Sequence, residues 1–172
     1  AFSSFVMSMS YGILPLALIL TMIGSIILGM GVPTTAQYII TSTLAAPALH
    51  SMGVPLMSAH LFCLYFGVLA DVTPPVALAT YAAAGIAGSG VLATGFTALV
   101  TAAAGFLVPY MFVYNPAILC QGSVLAIAWS TAAAVMGVIG LSAGIQGFYR
   151  SRLTLIERAL LLAVPFMLIH PS

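Results

Sequence analysis

Leu28-Gly29-Met30-Gly31-Val32-Pro33-Thr34-Thr35 cuts into an otherwise apolar run, and Asp71-Val72-Thr73-Pro74-Pro75 cuts into the next one. Proline lacks an amide donor and biases the preceding residue away from the helical region, so Val32-Pro33 and Thr73-Pro74-Pro75 are expected to interrupt their helices. The apolar pieces beside them, 36–49, 55–70 and 76–88, are too short for the roughly 20 residues that a straight helix needs to cross a bilayer core. This pattern predicts a helical hairpin over 11–50, re-entrant in the bilayer with its tip at 29–35, followed by a discontinuous helix over 55–88. Broken backbone is tolerated at membrane depth only where it is buried in protein or lines a polar cavity. Two breaks flanked by half-length segments point to a site built from facing half-helices near the midplane.

Composition places these segments in lipid. Of 172 residues, 63% are hydrophobic and 3% charged, with mean hydropathy +1.25, whereas a soluble domain carries about 25% charged residues. The fold class is therefore an all-α integral membrane protein, a polytopic helix bundle. Residues 91–113, 122–146 and 153–170 are continuous spans, the last marginal because Glu157 and Arg158 fall in its first turns. The chain divides into a connection over 1–10, a unit over 11–113 (hairpin 11–50, broken helix 55–88, helix 91–113) and additional C-terminal membrane helices over 114–172. It opens Ala1-Phe2-Ser3-Ser4, with no initiator methionine and no basic stretch ahead of an apolar one, and so reads as a fragment whose N-terminal part is missing.

Several functions fall away. Lysine is absent and the formal net charge is +1, which leaves no electrostatic footprint for nucleic acid. Cys63 and Cys120 match no metal-ligand spacing and are expected to be small buried hydrophobes. A two-aspartate intramembrane protease needs a second Asp beside Asp71, and a zinc protease needs H-E-x-x-H; neither is present. Ala87-Gly88-Ser89-Gly90 lacks the glycine two before the serine and falls at a turn. The chain is expected to be no enzyme and to use no organic cofactor or transition metal.

Arg150, Arg152 and Arg158 form the only basic cluster and place loop 147–152 on the cytoplasmic side. Loop 114–121 is then outside, and the hairpin enters and leaves from outside. Tyr110, Tyr114, Trp129, Phe148 and Tyr149 fall near helix ends, as an interfacial aromatic belt would have them.

At each break the preceding half-helix offers unpaired carbonyls and the following one free N–H groups. Carbonyls near Gly29 and Gly31, with the Thr34 and Thr35 hydroxyls, suit a hard cation such as sodium, and the N–H groups opening the next helix suit a carboxylate. The second break adds Asp71 and Thr73. Asp71, the only acid in the first 156 residues, is a cation ligand or proton carrier, or a cap for the half-helix that starts after Thr73; both roles can hold together. Gln37 and Tyr38 line the cavity or face a neighbouring helix, while His50 and His60 are expected to be satisfied polar residues at helix contacts. Candidate substrate contacts are thus Thr34, Thr35, Gln37, Thr73 and Pro74, and candidate sodium ligands are Gly29, Gly31, Thr34, Asp71 and Thr73. Glycine and proline are common in ordinary membrane helices; it is the pairing of two breaks, with hydroxyls at both, that favours a site.

LGMGVPTTAQYII (Leu28 to Ile40), AAPAL (Ala45 to Leu49) and AHLFCLYFGVLADVTPPVALATYAAAGIAGS (Ala59 to Ser89) resemble the large, fused permease subunit of tripartite ATP-independent periplasmic (TRAP) transporters. The likeness is closest to the type that works with a TAXI-class solute-binding protein, and it covers roughly residues 10–116. Asn115 to Gly122, Gln146-Gly147-Phe148 and Leu155 to Leu162 are similar to the extra helices of the fused permeases. The resemblance implies a sodium-coupled secondary transporter of the bacterial inner membrane, with an elevator-like transport domain of two inverted repeats of which this chain holds the second. It also implies a periplasmic TAXI-type binding protein that delivers small organic acids. The implied site positions are Gly29, Gly31, Pro33, Thr34, Thr35, Thr73 and Pro74.

The chain is accordingly expected to be a permease that imports a small carboxylate down a sodium gradient by alternating access. Its partners would be the bilayer, the binding protein and the missing N-terminal part of the same permease. Two other readings compete: a passive channel or pore lined by the two breaks, and a structural membrane subunit with no transport site.

Overall fold

The computed structural model describes residues 2–168, with side chains from 5 to 163; Ala1 and the end of the expected 153–170 span lie outside the described residues. Among the described residues every regular element is a helix. The chain forms two compact units, Ala1–Leu99 and Val100–Ser172, and the boundary falls inside the expected 91–113 helix.

The first unit contains α1 (Phe2–Ser10), α2 (Leu14–Gly29), α3 (Thr34–Ser51), α4 (Leu56–Leu69), α5 (Leu78–Ala87) and most of α6 (Val91–Ala102). Pro15 sits in the first turn of α2, where the missing N–H has no intrahelical partner to lose. The turn after α2 takes an extended Met30 and then Gly31 at φ +74°, a left-handed conformation that glycine adopts without a Cβ penalty. Pro33 then precedes the first residue of α3. α2 and α3 pack together as a hairpin, α4 lies against both, and α1 covers α2 and α3. Phe62 and Phe66 of α4 meet edge to face with centroids 4.8 Å apart, and Leu18 and Leu49 are fully buried with them.

These helices are patterned inside out. α2 buries Thr21, Ser25 and Gly29, spaced four residues apart on one face, and exposes Ile19, Ile23 and Ile27 on another. A helix of a soluble domain does the reverse. Hydroxyls turned inward with branched aliphatics turned outward is the arrangement that hydrocarbon surroundings select, and the molecule is an all-α membrane protein.

α4 ends at Leu69 and passes through a single 3-10 turn, Ala70–Val72, before an irregular stretch that reaches α5 only at Leu78. This overturns the expected capping role of Asp71. The cap position of α5 is Ala77, held left-handed at φ 39°, and no side chain caps the helix. The physical reason is that Pro74 and Pro75 delay helix initiation beyond the reach of a short carboxylate in the preceding turn.

In the second unit a 3-10 stretch, Ala103–Leu107, leads into α7 (Val108–Tyr114). Pro109 has no N–H and excludes the carbonyl four residues back, so the tighter helical register ahead of it relieves the clash. The 3-10 turn Pro116–Leu119, α8 (Val124–Gln146) and α9 (Leu155–Leu168) follow. Val91–Tyr114 and Val124–Gln146, 24 and 23 residues long, are the two helical stretches among the described residues that are long and apolar enough to cross a membrane. Asn115 joins the turn to α8, accepting from Ala117 N and donating from Nδ2 to Ser130 Oγ at 2.9 Å. Thr154 and Glu157 form a capping box at the head of α9, with Glu157 Oε2 accepting from Thr154 N at 2.8 Å. Arg158 donates to Gly144 O at 2.6 Å and Ile145 O at 2.8 Å, closing the end of α8.

Cys63 is buried, but Cys120 is exposed, contrary to expectation. It occupies the left-handed position that ends the 3-10 turn, at φ 61°, so its thiol projects from a chain reversal rather than into a helix contact.

Candidate functional site

Gln37 is the fourth residue of α3, its N–H bonded to Pro33 O at 3.0 Å, and helical periodicity turns it, with Thr41, toward α2 and α4. Glycine on both neighbouring helices makes room for it. A Cβ placed on Gly29 would meet Gln37 Nε2 at 2.8 Å, Gly67 O at 2.9 Å and Ala70 Cβ at 3.1 Å; one placed on Gly67 would run into the Gln37 carboxamide, with Cδ at 2.8 Å. The side chain is 0% exposed, and neither Nε2 nor Oε1 has a hydrogen-bond partner among the described residues. Leaving such groups unpaired costs about 1–3 kcal/mol each. Thr21 Oγ1 on the buried face of α2 and Thr80 Oγ1 on α5 are likewise buried and unpaired among the described residues.

The two breaks lie side by side. Gly29 abuts Gly67 and Ala70 at the end of α4, and a Cβ on Gly31 would lie 3.5 Å from Val76 Cγ1 in the second break. Thr73 is half-buried, and its hydroxyl donates to Leu69 O at 2.7 Å, which leaves its oxygen lone pairs available as an acceptor or ligand. Asp71 sits half-buried in the 3-10 turn, with no hydrogen bond among the described residues. Pro74 packs against α6, where a Cβ on Gly95 would come within 3.2 Å of its Cγ.

Thr34 and Thr35 are not drawn into this cluster. Both are exposed at the start of α3, which has no side-chain cap. Neither the Pro33 cap position of α3 nor the Ala77 cap position of α5 supplies a side-chain cap, so among the described residues each half-helix presents an uncapped positive end. Tyr38 faces α4, its hydroxyl 3.0 Å from His60 Nδ1, and His50 Nδ1 donates to Val54 O at 3.0 Å. Among the described residues no group of three or more His, Cys, Asp or Glu side chains could hold a metal ion. The oxygens available to a cation are mostly neutral ones, namely the Gln37 carboxamide, hydroxyls and end-of-helix carbonyls, with the Asp71 carboxylate the one anionic group at the breaks. Gly67, Ala70, Thr21, Ser25 and Thr80 were not picked out from sequence. The four-residue spacing of Thr21, Ser25 and Gly29 was the available signal, since small residues at that interval mark a close helix contact.

Residues 1–127 match the family model described as Tripartite ATP-independent periplasmic transporter, DctM component. No curated protein and no solved structure matched the chain. An inside-out helical unit with two adjoining helix breaks and a family match over most of its length lead to one assignment: the chain belongs to the DctM component family of tripartite ATP-independent periplasmic transporters, a family of membrane transport proteins.

Proposed function

We propose that the chain is the part of a bacterial inner-membrane permease that carries a small organic anion inward together with sodium, the solute being handed over by a periplasmic binding protein of the TAXI class. The observation that carries this reading is the Gln37 carboxamide, fully buried and unpaired where the two breaks adjoin. A carboxamide oxygen, the Thr73 hydroxyl and end-of-helix carbonyls near Gly29 and Gly31 are neutral oxygen donors of the type a hard monovalent cation takes, with Asp71 as the one anionic ligand at hand. The uncapped N-termini of α3 and α5 suit a carboxylate, and the exposed Thr34 and Thr35, with Pro74, border its path. If cation and anion share this junction, each raises the other's affinity by the same factor, which is the thermodynamic content of coupling.

In this reading α2–α3 is a re-entrant hairpin and α4–α5 a broken helix, together the second of two inverted repeats that move as an elevator. The first repeat is supplied by an N-terminal part of the permease, and loop 147–152 faces the cytoplasm. The test is uptake into proteoliposomes containing the full permease, with its binding protein and solute outside. An inward sodium gradient should drive accumulation, and Gln37→Met and Thr73→Val should weaken its sodium dependence. Uptake that follows the solute gradient alone, indifferent to sodium, would instead identify a passive pore.

A further inference from the structure

All three basic side chains of the molecule, Arg150, Arg152 and Arg158, gather where α8 gives way to α9, and the one acid beside them, Glu157, is engaged by Thr154. Arg158 is occupied with the carbonyls that end α8. Arg150 and Arg152 are exposed and make no ion pair among the described residues. The turn that carries them is held: Tyr149 N donates to Ser151 O at 3.1 Å, Leu153 N donates to Gly147 O at 3.0 Å, and Phe148 and Arg152 form a bridge. That turn sets Tyr149 on the rim of a surface groove of about 300 Å³ between α8 and α9, lined by Met136, Ile139, Gly140, Ala143, Tyr149 and Leu161. An apolar groove of that size, at the small end of ligand sites of roughly 300–1,000 Å³, is lined by the exposed Met136 and Ile139 and by Tyr149, which the exposed Arg150 follows directly in the same turn, with Arg152 two residues beyond it.

We infer that this groove binds an anionic phospholipid of the bilayer, one acyl chain lying along Ile139, Gly140 and Ala143 and the phosphate held by Arg150 and Arg152, with Tyr149 at the level between them. Charge complementarity selects the occupant. A second helix would match the apolar lining but leave two cations unpaired at its end, whereas an anionic head group on a hydrocarbon tail satisfies both parts at once. The inference does not depend on the transport site.

The experiment is native mass spectrometry of the full permease, titrated with dioleoylphosphatidylglycerol or dioleoylphosphatidylcholine. The anionic lipid should be retained on the order of tenfold more tightly. The exposed pair Arg150→Gln and Arg152→Gln should abolish that preference, and Ile139→Trp, which fills the groove from its open side, should weaken retention of the anionic lipid. Met136→Trp replaces Ile139→Trp if the latter fails to fold. Equal retention of the two lipids overturns the inference, as does a preference that survives either the double substitution or the filling one.

Discussion

Gln37 and Gly67 share one space: the carboxamide of the first lies where a side chain on the second would begin. The hairpin and the broken helix therefore approach at a distance set by a glycine, and the group that fills the gap is polar, buried and unpaired. Stability alone would place a hydrocarbon there.

Gly67→Ala should consequently destabilise the protein by about 1–3 kcal/mol through overpacking. Adding Gln37→Ala should recover much of that loss, a favourable coupling of about 0.5–3 kcal/mol between two residues in contact. Thermal unfolding of the single and double variants in detergent measures it; strictly additive effects would mean that the two side chains do not compete.

Gln37→Met separates stability from transport. Methionine has nearly the volume of glutamine without its unpaired amide, so the variant should be as stable as the parent or more so, by about 1–3 kcal/mol. Sodium-driven uptake should fall by about tenfold or more, since an oxygen ligand is lost. A variant that is stabilised and transports normally would leave Gln37 no part in the site.

Thr73 Oγ1 is fixed by its bond to Leu69 O at 2.7 Å. Thr73→Val removes the bond and should cost about 1 kcal/mol; it should also raise the sodium concentration needed for half-maximal uptake, while Thr73→Ser should keep both. Sodium titration of uptake decides the matter, and equal behaviour of Val and Ser would exclude the hydroxyl as a ligand.

Ala77 is a buried non-glycine residue at φ 39°, ψ 56°. The left-handed region costs an L-residue with a Cβ roughly 1–2 kcal/mol relative to glycine, so Ala77→Gly should stabilise by about 1 kcal/mol, read as a raised unfolding temperature. A lower unfolding temperature would show that burial of the methyl group outweighs the backbone relief.

What the sequence made legible follows from how local each signal is. Pro33, Pro74 and Pro75 act on their own backbone and their immediate neighbours, so the interruptions after Gly29 and Leu69 could be read from the chain. The all-helical membrane class followed from composition. The Gln37–Gly67 contact could not be read, because it depends on which faces of α3 and α4 meet, and nothing near Gly67 distinguishes it from other helical glycines. The capping expectation for Asp71 failed for a related reason: it assumed that α5 begins directly after Thr73, whereas Ala77 sets the start in a conformation with no sequence signature in alanine. The apolar neighbours of Cys120 predict burial, but the residue sits in a left-handed turn and is exposed.

Gly144 tests the second unit by itself. A Cβ there would lie 3.1 Å from Leu162 Cγ and Cδ2 and 3.4 Å from Arg158 O, so α8 and α9 touch through a glycine, as close membrane helices often do. Gly144→Ile should push α9 away at a cost of about 1–3 kcal/mol and break the Arg158 bonds to Gly144 O and Ile145 O that close α8. The turn at 147–152 would lose its support, and trypsin should cut after Arg150 and Arg152 several-fold faster. Gly85→Ala is the matched control: beyond its chain neighbours and the adjacent backbone of its own helix, nothing lies within 4 Å of its added Cβ, and in a helix interior alanine is favoured over glycine by about 1 kcal/mol. It should leave proteolysis at the arginines unchanged; if both variants raised cleavage equally, the effect would reflect general loosening rather than loss of the α8–α9 contact.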